Sequence, residues 1–173
     1  MTVGLYLSEL AWVELAARRP DATEARAREA IAVLDAAGDS RRARGTEVLL
    51  AWTDAVRGDV ASARKRLEVR RQAVEEEGSE GARFTLRGIE ARVAAALGDW
   101  PRAVELRRIQ VRKAAEWKAH GLLIQQQASL AEALHGAGDR RALEQLVAEL
   151  LPEVKRLGLH GIERDLRALL ADS

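Results

Sequence analysis

The feature that most constrains this chain is a repetition every 40 residues. Gly58, Gly98 and Gly138 stand one step apart, and each precedes an aspartate: Asp59, Asp99 and Asp139. Ala11, Ala51, Ala91, Ala131 and Ala171 keep the same step, as do Gly81, Gly121 and Gly161. A fourth series runs Gly38, Gly78, Lys118 and Gly158, and His120 and His160 also lie one step apart. Several independent series in one register describe a chain built from like units, each leaning on its neighbours for a core.

The units read as helix pairs. A glycine permits a left-handed backbone at a helix end, and the aspartate after it caps the next helix. In the first unit Arg19-Pro20-Asp21 replaces that turn, and Asp21 with Glu24 has the form of a capping box. Pro101, just after Asp99, suits a first helical turn. The alanine series lies seven residues before the turn, where a small side chain lets two helices approach. Between turns the apolar spacing is helical: Val60, Ala63, Leu67, Val74; Leu86, Ile89, Val93, Leu97; and Leu143, Leu146, Leu150, Val154, Leu157. Helices are expected near 3–18, 22–37, 41–57, 60–77, 82–97, 100–118, 121–137, 140–157 and 160–171, in repeats 1–38, 39–78, 79–118 and 119–158 with a capping helix in 159–173.

Composition agrees. Strong helix formers dominate, aromatic residues make up only 3%, and proline occurs three times. The 28 basic and 27 acidic residues leave a net charge of +1, which argues against a dedicated nucleic-acid or membrane-surface protein. Cysteine is absent, so no disulfide or thiolate metal site can form, and a cytoplasmic location fits. No apolar stretch approaches the roughly 20 residues needed to span a bilayer. Residues Met1 to Tyr6 do not read as a signal peptide. Without a low-complexity linker, a single domain over 1–173 is expected.

Gly98-Asp99-Trp100-Pro101-Arg102-Ala103, preceded by Ala91, resembles the tetratricopeptide repeat signature; Gly58-Asp59 with Ala51 and Ala63 repeats it. Gly138-Asp139 with Ala131 is less complete, since Leu143 stands where the alanine is expected and Ala142 is one short. The period is 40, against about 34 in the standard repeat, and resembles longer repeats of bacterial signalling kinases, ATPase regulators and peptide-sensing regulators. The resemblance implies an all-α, right-handed α-solenoid of four helix pairs plus a C-terminal capping helix. It further implies that the first helix of each pair lines a concave groove. On that template Trp12, Trp52, Arg92 and Glu132 form one inner column, each following a member of the alanine series. Neighbouring inner positions are Ser8 and Leu15; Val48 and Ala55; Thr85, Gly88 and Ala95; and Gln125, Ala128 and His135.

Trp12 and Trp52 fit two placements, the groove or packing between helices. Trp100 and Trp117 are expected to be structural. The family's clamp for acidic C-termini uses lysine and asparagine at places held here by Ser8, Val48, Trp12 and Trp52, which disfavours that ligand. No phosphate-binding loop is present. His120, His135 and His160 lack metal-ligand spacing, and a turn-forming role is favoured for His120 and His160. Ser8, Ser40, Ser62, Ser79 and Ser129 lack a paired base, and Glu75-Glu76-Glu77 reads as a solvated face, so neither catalysis nor a cofactor is expected. The basic groups Arg41-Arg42, Arg64-Lys65-Arg66, Arg70-Arg71, Arg107-Arg108 and Arg112-Lys113 are interleaved with glutamates, as exposed paired surfaces are.

The expected role is a protein- or peptide-binding scaffold, one segment of a larger bacterial signalling or regulatory protein. The alternative is a regulatory domain whose curvature responds to a peptide or small molecule. The segment reading is motivated by a sequence that opens inside the first helix, with Leu5 and Leu7 and no polar cap before them. A homodimer in which Leu5 and Leu7 meet a second copy is the structural alternative.

Overall fold

The computed structural model describes residues 3–172, which are all helix and turn. The elements are α1 (Val3–Ala16), α2 (Pro20–Ala36), α3 (Ser40–Val56), α4 (Val60–Glu77), α5 (Glu80–Ala96), α6 (Trp100–Glu116), α7 (His120–Gly136), α8 (Arg140–Arg156) and α9 (His160–Ala171). Every expected helix is present, within two residues of its expected bounds. Two compact units divide the chain, Met1–Leu97 and Gly98–Ser173, with the division at the turn between α5 and α6. In the first unit each helix packs on the next, and α3 also packs on α1 and α5. In the second, α6 to α9 pack in order and α7 also meets α9. Contact between neighbours and next-but-one neighbours is the packing of a helical-repeat solenoid.

The turns reveal a finer period. Gly38, Gly58, Gly78, Gly98, Gly138 and Gly158 all have positive φ, and so do Arg18 (57°) and Lys118 (54°). Left-handed residues therefore recur every 20 residues from 18 to 158, so first and second helices advance by the same stride. The next helix is then capped: Asp39, Asp59, Asp99 and Asp139 each accept the backbone N–H three residues on, at 3.0–3.2 Å, and Ser79 does the same. Pro101 sits in the first turn of α6.

Two turn readings need correction. α2 begins at Pro20, whose missing N–H costs nothing there, so Asp21 lies inside the helix and Arg19 holds the N-cap without a side-chain bond. Asp21 and Glu24 instead bind Arg57 at the end of α3. His120 and His160 do not make turns but open α7 and α9; Lys118 and Gly158 take the left-handed conformation two residues earlier.

The core follows the repeat columns. Ala11, Ala51, Ala91 and Ala131 are at most 1% exposed, whereas Ala171 is exposed at the end of α9. Thr23, Ala63, Ala103 and Leu143 form a second buried column, in the second helices. Arg107 departs from the expectation of exposed basic pairs. It is buried and bonds Gln110 Oε1 at 2.6 Å, a polar contact that meets the cost of enclosing a guanidinium. Trp100 is structural as expected: its ring covers Gly136 so closely that an added Cβ would lie 2.4 Å away. Trp117 is not core; it is 38% exposed, with the Lys113 ammonium 5.9 Å from its ring centroid.

Candidate functional site

The first unit carries a cavity of about 270 Å3 on the face made by α1, α3 and α5. The buried alanines at 11, 51 and 91 let these helices approach, and side chains of all three helices border a common space. Ser8 and Trp12 come from α1, Thr46 and Val48 from α3, and Thr85 and Leu86 from α5. Ser8 Oγ and Thr46 Oγ1 are 2.9 Å apart and buried. Thr46 spends its proton on the Arg42 carbonyl at 3.0 Å, so Ser8 is the donor, and the bond ties α1 to α3. Gly45 leaves the floor open, with nothing within 4 Å of where its Cβ would stand.

Polar groups ring this apolar floor. Arg41 and Arg42 come from the first turn of α3, and Arg70 and Glu77 from the second half of α4. Arg70 and Glu77 pair at 2.8 Å, and Arg42 pairs with Asp39. The Arg42 guanidinium holds the Asp39 carboxyl below its usual range, and the backbone N–H of Arg42 adds to the effect.

The candidate groove residues divide by burial. Ser8, Trp12, Val48 and Thr85 converge on the cavity. Leu15, Trp52 and Ala55 are at most 7% exposed and belong to the core, so a partner cannot reach them; Val48, 2% exposed, shows the cavity little more than a wall. The two tryptophans occupy the same column but differ in packing: among the described residues α3 packs on α1, α2, α4 and α5, whereas α1 packs on α2 and α3. Arg92 is half-buried on α5 and does not line the cavity. In the second unit Gln125 is exposed and Glu132 and His135 are half-buried, all on one face of α7.

Arg41-Arg42 and Arg70-Arg71, expected from the sequence only as exposed paired surfaces, supply Arg41, Arg42 and Arg70 to the recess. Arg70 and Glu77 reach it from a second helix, which a template with first helices on the groove leaves out. Leu5, expected at a dimer contact, lines the cavity, and Leu7 is buried. Among the described residues no group of three or more histidine or acidic side chains is placed to hold a metal, and no helix is long and apolar enough to cross a membrane. What the fold defines is an all-α helical-repeat protein with a half-polar recess on its first unit. No family model matches the sequence, and comparison with curated proteins gives no match either.

Proposed function

We propose that the chain is a peptide- or protein-binding scaffold of the tetratricopeptide type, a segment of a bacterial regulatory protein, and not an enzyme. The carrying observation is the recess in which Trp12, Ser8, Val48 and Thr85, from three successive first helices, face one space ringed by arginines. An indole with one face packed and one face open is a common anchor in protein contacts, and truncating such an anchor costs about 2 kcal/mol or more. Polar groups around an apolar floor give orientation to what the floor holds. The 40-residue period supports the regulatory setting.

The test is selection of peptides from a displayed library on the wild-type chain, followed by titration against variants. Trp12→Ala removes the anchor, and Gly45→Leu puts a side chain into the recess at a position where an added Cβ meets nothing within 4 Å. Selected peptides should bind both variants at least ten-fold more weakly, and bind Arg26→Ala, on the exposed side of α2, unchanged. Equal binding to all four proteins would refute the assignment. Trp52→Ala is not a suitable probe, since it removes a core side chain.

A further inference from the structure

A second cavity of the first unit, about 290 Å3, lies in the cleft between α3 and α4. Arg44 of α3 and Lys65, Arg66 and Arg70 of α4 face it, against a single lining carboxylate, Glu47. Asp54 holds Arg66 at 2.7 Å and Glu77 holds Arg70 at 2.8 Å, so both guanidiniums are fixed in place. Among the described residues Arg44 and Lys65 have no ion-pair partner, and both are exposed. The remaining wall is aliphatic, with Val69 52% exposed.

This cleft shares Val48 and Arg70 with the α1/α3/α5 recess, so the two adjoin. Around both stand six cations, Arg41, Arg42, Arg44, Lys65, Arg66 and Arg70, over the lining carboxylates Glu47 and Glu77. Adding the two carboxylates that hold Arg42 and Arg66 still leaves two positive charges in surplus, in a chain whose net charge is +1. Guanidinium and ammonium groups beside low-dielectric walls attract carboxylates more strongly than they would in open water. Nucleic acid fits less well, because no aromatic side chain lines the cleft to stack a base.

We propose that the α3–α4 cleft receives an acidic stretch of a protein partner, with carboxylates on Arg44 and Lys65 and an aliphatic side chain against Val69. The peptide nature of the occupant rests on the binding role proposed above; the charge preference does not.

The experiment uses a fluorescein-labelled octapeptide of alternating glutamate and leucine, its glutamine counterpart, and an oligodeoxythymidine of matched charge. Each is titrated by anisotropy against the wild-type chain, Arg44→Glu/Lys65→Glu and Trp12→Ala, with circular dichroism confirming helix content. The glutamate peptide should bind wild type at least ten-fold more tightly than the glutamine peptide, and the charge reversal should abolish that margin. Rising salt should weaken the complex, since exposed charges are screened beyond about 8 Å at physiological ionic strength. Loss on charge reversal with Trp12→Ala unaffected upholds the cleft and sinks the recess as the anchor. Equal binding of the two peptides, indifference to charge reversal, no binding at millimolar peptide, or tighter binding of the oligonucleotide would each overturn the proposal.

Discussion

Lys118 holds a left-handed backbone conformation that six of the eight equivalent positions assign to glycine. A side chain there crowds the following carbonyl, at a cost of about 1–2 kcal/mol, part of which glycine returns through its freer unfolded chain. Lys118→Gly should therefore stabilise the protein by about 1 kcal/mol, read as a higher urea midpoint with unchanged slope. The reverse is expected at Gly136, where the Trp100 ring leaves no room for a methyl group. Gly136→Ala should cost about 1–3 kcal/mol by overpacking. Most of that cost should vanish in a Trp100→Leu background, as a double-mutant cycle would show. At this scale the turn glycines and buried alanines were legible in the sequence because backbone conformation and close approach demand them. The fates of Trp12 and Trp52 were not, because the same column position packs against different neighbours on α1 and on α3.

Helix starts show a similar asymmetry. α3, α4, α6 and α8 each begin with an aspartate whose side chain caps the first turn, and α5 uses Ser79. At the start of α7, Ala119 has no side chain to cap with, although its φ and ψ of −87° and 79° resemble the −81° and 70° of Asp139. Ala119→Asp should supply the missing acceptor and add about 1 kcal/mol, helped by the absence of any acidic residue in that first turn. Thermal unfolding would measure it, and a lower midpoint would contradict the cap reading. Within α8, Pro152 gives up one backbone bond yet the helix continues. Both Pro152 and Ala148, whose carbonyl is released, are exposed, so water can take the vacated acceptor. The helical stripes predicted each element because their period is set by the helix itself. The capping box at Asp21 failed because Pro20 claimed the first helical position.

Across the molecule, acid should act through carboxylates that the folded state keeps ionised. Arg156, and after it His120, hold Glu153 at about 2, well below its ordinary 4.5. Arg28 and then Arg57 lower Glu24, Arg42 lowers Asp39, and the backbone N–H of Ser62 lowers Asp59. A depressed folded value means stability present above the ordinary carboxylate range and lost as pH falls through that range toward 2. The urea midpoint should hold level from pH 8 to 5 and fall below it, and Arg156→Ala should return the Glu153 titration, followed by NMR, toward its ordinary range. A midpoint that rises on acidification would contradict this. The solenoid class was legible at this scale because it is written in a periodicity. The cationic cleft was not, since it depends on residues of α3 and α4 that no single helical stripe brings together.

The uniform 20-residue stride has a further consequence. Because every turn ends one helix and starts the next at the same interval, a 40-residue block can be added or removed without disturbing the phase of any other helix. Tandem duplication of residues 39–78 would place a second copy of the α3–α4 cleft beside the first while keeping the flanking caps. A protein of this design can therefore gain valency by copying a module, with no need to invent a new surface.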